Sequence, residues 1–134
     1  MSKRRKIIDR GDIIEVTGTN DVTYYAQVTW ASDYYKDIIQ IYFLNSYAIG
    51  SNQQKLEYRE PSYYTSAKVV RSGRWPKVAQ AECGVVPYPP IFVSAGDLWQ
   101  GDEMLRKANE SDISNTQKLK ALGANLVEKY AVIT

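Results

Sequence analysis

Alternation of apolar and polar side chains is strongest in the first third of the chain. Residues 12–17 are rich in β-branched side chains, and residues 22–30 alternate apolar and polar positions, a pattern typical of half-buried strands. The turn-forming residues 18–21 lie between them, so the two segments predict a hairpin. Residues 37–44 predict a third strand that is apolar on both faces near its end. Three successive strands indicate a small, strongly bent antiparallel sheet or an SH3-like barrel.

Shorter patterns follow in the middle of the chain. Residues 63–71 alternate and predict a fourth strand, and residues 75–80 predict a short fifth strand. Pro76 favours an edge position for that strand because proline cannot donate a ladder hydrogen bond. We expect an extended segment around the three prolines between residues 87 and 90, and a turn or short helix at residues 96–101.

The last quarter of the chain has a different period. Apolar residues recur there at spacings of three and four, at Leu119, Leu122, Leu126 and Tyr130. The pattern predicts an amphipathic helix of about 15 residues, with Ser114 and Gln117 placed as a capping box. The predicted fold is therefore α+β, with 4–6 strands and a C-terminal amphipathic helix. We expect a flexible basic tail at residues 1–10 and one globular domain at residues 11–134.

The residue types restrict the chemistry. Histidine is absent and Cys83 is the only cysteine, which excludes Ser-His-Asp and Cys-His catalysis, histidine-ligated metals and an intrachain disulfide. We expect no cofactor, no metal and no enzymatic activity. An enzyme that uses carboxylates alone remains an alternative, with Asp12 and Glu15, or Asp97, Asp102 and Glu103, as the candidate acid–base groups, but ordinary surface charge is the simpler interpretation.

Targeting signals are also missing from the sequence. No apolar run approaches the roughly 20 residues that span a bilayer, and no apolar stretch follows the basic residues 1–6 as it would in a signal peptide. We therefore expect a cytoplasmic protein that does not engage membranes.

The net charge of +2 conceals alternating blocks. Residues 1–10 carry five basic and one acidic side chain, whereas residues 11–54 carry one basic and five acidic side chains. Residues 55–77 are again basic, and residues 78–112 are again acidic. Apart from its first ten residues the chain carries more acidic than basic groups, which favours a basic protein partner over nucleic acid.

Tyrosine is unusually abundant, with 11 residues against 2 phenylalanines. Three adjacent pairs occur, and on a strand each pair directs one ring to each face, so we expect Tyr25 and Tyr64 to be exposed. Tyrosine is enriched in the energetically dominant parts of protein interfaces, although the same rings also pack protein cores. The predicted partner-binding residues combine these rings with neighbouring acids: Asp21, Tyr25, Asp33, Tyr34, Tyr35, Asp37, Tyr64, Asp97, Asp102 and Glu103.

The opening segments resemble a known family. A Gly-Asp pair at Gly11 and Asp12, an apolar strand, a turn and an aromatic-bearing strand from Tyr24 are similar to the start of the immunity-26-type family of bacterial immunity proteins. Pro89-Pro90-Ile91-Phe92 followed by Gly96 resembles a later segment of that family. The resemblance implies a cytoplasmic protein that neutralises a cognate toxin in interbacterial competition, such as contact-dependent growth inhibition, and it carries over no binding residue.

Two functions follow as hypotheses. The first is a non-enzymatic immunity protein that binds a basic toxin domain, such as a nuclease, through its acidic, tyrosine-bearing surface. The alternative is an SH3-like nucleic-acid-binding module of phage or plasmid origin, which would use Lys3–Lys6 and the basic residues 55–77 to contact phosphates.

Overall fold

The computed structural model describes residues 8–35, 37–45, 47 and 56–132. These residues form an α+β fold of two sheets and three short helices, which confirms the predicted class. The strands are β1 (Asp12–Thr17), β2 (Thr23–Ala31), β3 (Ile38–Leu44), β4 (Tyr58–Ser66), β5 (Lys77–Gln80), β6 (Ile91–Ser94), β7 (Asp97–Gln100), β8 (Glu103–Lys107) and β9 (Ala121–Leu122). The helices are α1 (Lys68–Arg71), α2 (Glu110–Asn115) and α3 (Ala124–Ala131).

The larger sheet has six strands in the order β5-β1-β2-β3-β4-β9. Antiparallel β1, β2 and β3 form the predicted meander, and β5 lies at an edge, as Pro76 indicates. β9 pairs with β4 in parallel, and the sheet is open rather than closed into a barrel among the described residues. The fourth strand is displaced from the predicted residues 63–71, because β4 ends at Ser66 and the Val69-Val70 pair lies inside the short helix α1.

The second sheet is an antiparallel meander of β6, β7 and β8. The prediction of a turn or short helix at residues 96–101 is wrong, because these residues contain a whole strand. Gly96 and Gly101 have φ angles of +83° and +58° in the two connecting turns, a region that glycine enters without a steric penalty. A turn glycine at each end leaves just enough residues between them for β7.

The predicted long C-terminal helix is shorter than its periodicity suggests. Leu119 makes backbone hydrogen bonds with β6, and Leu122 belongs to β9, so both residues are extended. Gly123 is the N-cap of α3 rather than an interior helix residue. The capping box also lies elsewhere, because Asn109 and Asp112 cap α2 and Ser114 lies within that helix.

The six-stranded sheet is covered on both faces. One face is apolar and packs against α1, α3 and Trp75. Its main members are Ile14, Val16, Ala26, Val28, Ile39, Ile41, Phe43, Val70, Trp75, Val127 and Ala131. This face is a continuous hydrophobic core, the largest source of stability in a domain of this size.

The opposite face buries polar and aromatic side chains. Gln27, Thr29, Gln40 and Ser62 are buried there, together with the rings of Trp30 and Tyr64. Thr29 Oγ donates to Gln40 Oε1 at 2.9 Å, and Gln40 Nε2 donates to Ser62 Oγ at 3.1 Å, so these groups satisfy one another. Phe92 of β6 contacts both Trp30 and Tyr64, which places the second sheet over this face.

Two further findings concern the expected tail and membrane contact. Residues 1–7 of the predicted tail lie outside the described residues, whereas Ile8 is buried in the apolar core and Arg10 Nε donates to Thr29 O at 3.2 Å. Within the described part of the chain, no helix has the length and apolar character needed to cross a membrane.

Candidate protein-interaction surface

The loop after β2 is joined to the turn between β7 and β8 through one carboxylate. Ser32 Oγ donates a hydrogen bond to Asp102 Oδ1, and the backbone N–H of Asp33 donates to Asp102 Oδ2 at 2.9 Å. The backbone N–H of Tyr35 in turn donates to Ser32 Oγ at 2.7 Å. Both oxygens of Asp102 are therefore engaged in holding this loop, so Asp102 acts as a positioning residue within the predicted set.

The two tyrosines of this loop pack against a tryptophan of the second sheet. The ring centroid of Tyr34 lies 5.0 Å from that of Tyr35 and 5.3 Å from that of Trp99. Tyr35 and Trp99 are 5.4 Å apart, which completes a cluster of three mutually contacting rings. Tyr34 is 65% exposed, and its position is nevertheless defined by two ring contacts.

Strand alternation explains why Trp99 reaches this cluster. Trp99 and its register partner Phe92 lie on the face of the second sheet that packs toward the larger sheet. Met104 of β8 is the other register partner of Trp99 and is 51% exposed. The sequence did not single out either Trp99 or Met104 as a binding residue, although the turn glycines on both sides of β7 could have indicated a strand.

We call Asp33, Tyr34, Tyr35, Trp99 and Met104 the aromatic–carboxylate surface. It combines apolar contact area with the negative charge of Asp33, and the carboxylate of Asp102 lies directly beside the backbone of Asp33. Three of the predicted binding residues, Asp33, Tyr34 and Tyr35, thus lie together. A fourth predicted residue, Asp102, supports their loop.

Other predicted residues lie outside this surface. Asp21 is exposed in the β1–β2 turn with a φ of 64°. Tyr25 is half-buried rather than exposed as expected, and its ring centroid lies 5.2 Å from that of Tyr47. Asp37 forms an ion pair with Arg71 at 2.6 Å. Asp21 and Tyr25 thus lie in the β1–β2 hairpin, whereas Asp37 ends the same β2–β3 loop as Tyr34 and directs its carboxylate to Arg71.

The acids predicted on the second sheet have separate environments. Asp97 is half-buried opposite Lys107, its register partner on β8. Glu103 pairs with Gln100, so strand alternation places it on the face opposite to Trp99. Both Asp102 oxygens accept hydrogen bonds from the β2–β3 loop. The three candidate acid–base groups therefore have three different orientations.

The expectation that Tyr64 is exposed is wrong. Its side chain is only 2% exposed and contacts Trp30 and Phe92, because β4 lies inside a sheet that is covered on both faces. Burial raises the pKa of the Tyr64 hydroxyl well above its ordinary value. This hydroxyl and Trp99 Nε1 are buried polar atoms without a hydrogen-bond partner among the described residues.

Three basic side chains of residues 55–77 form ion pairs with acids from other parts of the chain. Lys77 lies 3.5 Å from the buried carboxylate of Asp12, Arg71 pairs with Asp37, and Arg74 pairs with Glu128 at 2.6 Å. Half of the six basic side chains in residues 55–77 are thus engaged with acids of the same chain. Lys3–Lys6, which the nucleic-acid alternative would also use, lie outside the described residues.

The surroundings of Cys83 do not favour a reactive thiolate. Cys83 is half-buried, and burial raises the pKa of its thiol, which keeps it protonated at neutral pH. In residues 8–35, 37–45, 47 and 56–132, no three acidic or sulfur ligands are grouped to hold a metal ion.

Comparison with protein-family models, curated proteins and solved structures finds no match to this chain. The similarity to the immunity-26-type family therefore stays a prediction from the residues that carry it.

Proposed function

We propose that this chain is a non-enzymatic immunity protein that binds a basic toxin domain through the aromatic–carboxylate surface. The observation that carries the proposal is the assembly of Asp33, Tyr34, Tyr35 and Trp99 from two distant parts of the sequence. Exposed aromatic side chains next to negative charge are well suited to a basic protein surface, because the rings supply contact area and the charges direct encounter.

The rigidity of the surface supports a binding role. Asp102 and the ring of Trp99 hold Ser32, Asp33 and Tyr34 in place, so these residues should lose little conformational freedom when a partner docks. A partner that is basic fits a cytoplasmic nuclease toxin, which must itself bind nucleic acid.

The test begins with the polypeptides encoded next to this chain. Each is co-expressed with the tagged protein, and its toxicity is measured with and without this chain in the same cells. We expect one neighbour to be toxic alone, harmless together with this chain, and captured as a complex that weakens as salt rises.

Matched variants connect protection to the surface. Asp33→Lys combined with Tyr34→Ala should abolish protection. Glu82→Lys combined with Tyr88→Ala likewise reverses an acidic charge and removes a tyrosine ring at exposed positions elsewhere, and it should preserve protection. The proposal is wrong if no neighbouring product is bound, or if both double variants protect equally well.

A further inference from the structure

The outer face of the second sheet, which points away from the larger sheet, carries a cavity. Val93 lies on this outer face, because its neighbour Phe92 packs toward the larger sheet and adjacent strand residues point to opposite faces. The cavity has a volume of about 310 Å³ and lies between the end of β6, the β6–β7 turn, α2 and the segment that precedes β9. This volume is at the lower end of the range of small-molecule sites, which is about 300 to 1,000 Å³.

Hydrogen bonds of the fold hold the walls of the cavity in place. The backbone N–H of Val93 donates to Gln117 O at 3.0 Å, and that of Leu119 donates to Val93 O at 2.8 Å. These two bonds attach the segment before β9 to β6. Arg106 of β8 donates through Nη2 to Asp112 Oδ1 of α2 at 3.0 Å, which attaches the helix to the same sheet. A cavity with walls fixed in this way can accept a ligand at little cost in ordering.

The lining of the cavity is mostly apolar and contains one charged side chain. Val93, Ala95, Ile113 and Leu119 contribute apolar groups, and Lys118 is the only ionisable residue of the lining. Val93 and Lys118 are register partners in a parallel bridge, which places both side chains on the outer face. None of the ion pairs among the described residues involves Lys118. The ammonium group therefore leaves the site with a positive charge that an anionic ligand can neutralise.

We infer that this cavity binds a small aliphatic monocarboxylate as a free molecule. The apolar chain of the ligand packs against Val93, Ile113 and Leu119, and its carboxylate pairs with Lys118. The volume equals that of about ten water molecules in the liquid, which accommodates a carboxylate on a chain of about five to seven carbons. The inference does not rest on the proposed function, because the cavity and Trp99 lie on opposite faces of the second sheet.

The experiment titrates hexanoate into the full chain and follows the backbone amides of Val93, Ala95 and Leu119 by NMR. Hexanamide keeps the chain and removes the charge, hexylamine reverses the charge, and acetate keeps the carboxylate without the chain. We expect saturable shifts of these amides with a dissociation constant below about 10 mM for hexanoate. Hexanamide should bind more weakly, and hexylamine and acetate should bind weakest.

Variants test the two parts of the site separately. Lys118→Gln should weaken hexanoate by about fivefold, the upper range for a partly exposed ion pair, whereas Lys120→Gln, at an exposed lysine outside the lining, should not. Ile113→Ser removes part of the apolar wall and should weaken hexanoate by about threefold or more. Leu126→Ser, at an exposed position on α3, is its control. All four positions are exposed, so the variants should fold.

Three results would overturn the inference. The first is the absence of a saturable shift at the three amides below about 10 mM hexanoate. The second is equal binding of hexanoate and hexylamine, or an unchanged affinity in either Lys118→Gln or Ile113→Ser. The third concerns the source of the carboxylate, which N-acetyl-alanyl-leucine presents as the end of a protein chain does. If this dipeptide binds more tightly than hexanoate, the ligand is a protein terminus and not a free acid.

Discussion

The two faces of the six-stranded sheet are buried in different ways. One face is a continuous apolar core beneath α1 and α3, whereas the other buries glutamine, threonine and serine side chains beneath the second sheet. Apolar packing is non-directional, but buried polar groups require specific partners in specific positions. The first face therefore accounts mainly for stability, whereas on the second face the contacts of Phe92 with Trp30 and Tyr64 seat the sheet that carries Trp99.

This difference places the aromatic–carboxylate surface on the more precisely specified side. The β2–β3 loop and the β7–β8 turn meet there through Asp102, and Trp99 contributes the ring that supports Tyr34. The comparison predicts that variants on the apolar face reduce stability most, and that variants near Asp102 affect the surface more than they affect stability.

The largest effect is expected from Trp75→Ala on the apolar face. Trp75 is fully buried, so its truncation should lower the free energy of unfolding by about 3–5 kcal/mol. Chemical denaturation monitored by circular dichroism measures this loss. Trp75→Phe is the matched control and should lose clearly less, and a loss below about 1 kcal/mol for the alanine variant would contradict the assignment of this face as the main core.

A smaller loss is expected from Gln40→Leu on the polar face. Leucine is similar in size but removes the bonds of the Gln40 side chain to Thr29 and Ser62, which keep only a 3.4 Å contact to Gln40 O and a bond to Gln117. The lost hydrogen bonds should cost about 0.5–1.5 kcal/mol each in the free energy of unfolding. If Gln40→Leu stabilises the protein in denaturation experiments, this face is not specified by hydrogen bonds as we argue.

Asp102→Asn tests the loop more than the fold. An asparagine cannot accept hydrogen bonds from both Ser32 and Asp33 with the same geometry, so stability should fall by only about 1 kcal/mol. Amide exchange at Asp33 and Tyr35 should become faster, because their hydrogen-bond network is weakened. Glu103→Gln, one residue further along, should leave both amides protected. Unchanged exchange in the Asp102 variant would show that other contacts hold the loop.

The smallest effect concerns acid stability at the end of α3. Hydrogen bonding from Arg74 lowers the pKa of Glu128 below its ordinary value, and Trp75 Nε1 adds a second donor to the same carboxylate. A lowered pKa in the folded state contributes stability above about pH 4.3, and this contribution is lost as the pH falls through the folded-state pKa. The stability of Glu128→Gln should therefore depend less on pH in that acidic range. An identical pH profile for both proteins would contradict the role given to Arg74.

The sequence predicted strands where one pattern dominates. β1 is rich in β-branched residues, β2 alternates and β3 is a continuous apolar run, so the meander could be inferred from the sequence, and Pro76 indicated the edge position of β5. The C-terminal periodicity was misleading because backbone pairing of Leu119 with β6 and of Leu122 in β9 favours extended structure there. The local spacing of apolar residues carries no information about these long-range hydrogen bonds.

The candidate surface was predictable only in part. Asp33, Tyr34 and Tyr35 were identified because they are adjacent and lie in a polar connection, but nothing in their spacing identifies Asp102 or Trp99 as their neighbours. Tyr64 was predicted to be exposed but is buried, because alternation shows which side chains share a face of a strand but does not show which face the rest of the fold covers. Contacts between residues about 70 positions apart require the fold itself.

The account rests on the claim that the aromatic–carboxylate surface is where the partner binds. The most direct test is the dissociation constant of the complex with the neighbouring basic polypeptide, measured by calorimetry for the unaltered protein, Tyr34→Ala and Tyr88→Ala. A central interface residue should cost about 30-fold or more in affinity when truncated, so we predict this loss for Tyr34→Ala and less than about fivefold for Tyr88→Ala. Equal affinities of the two variants, or the larger loss at Tyr88, would contradict the account.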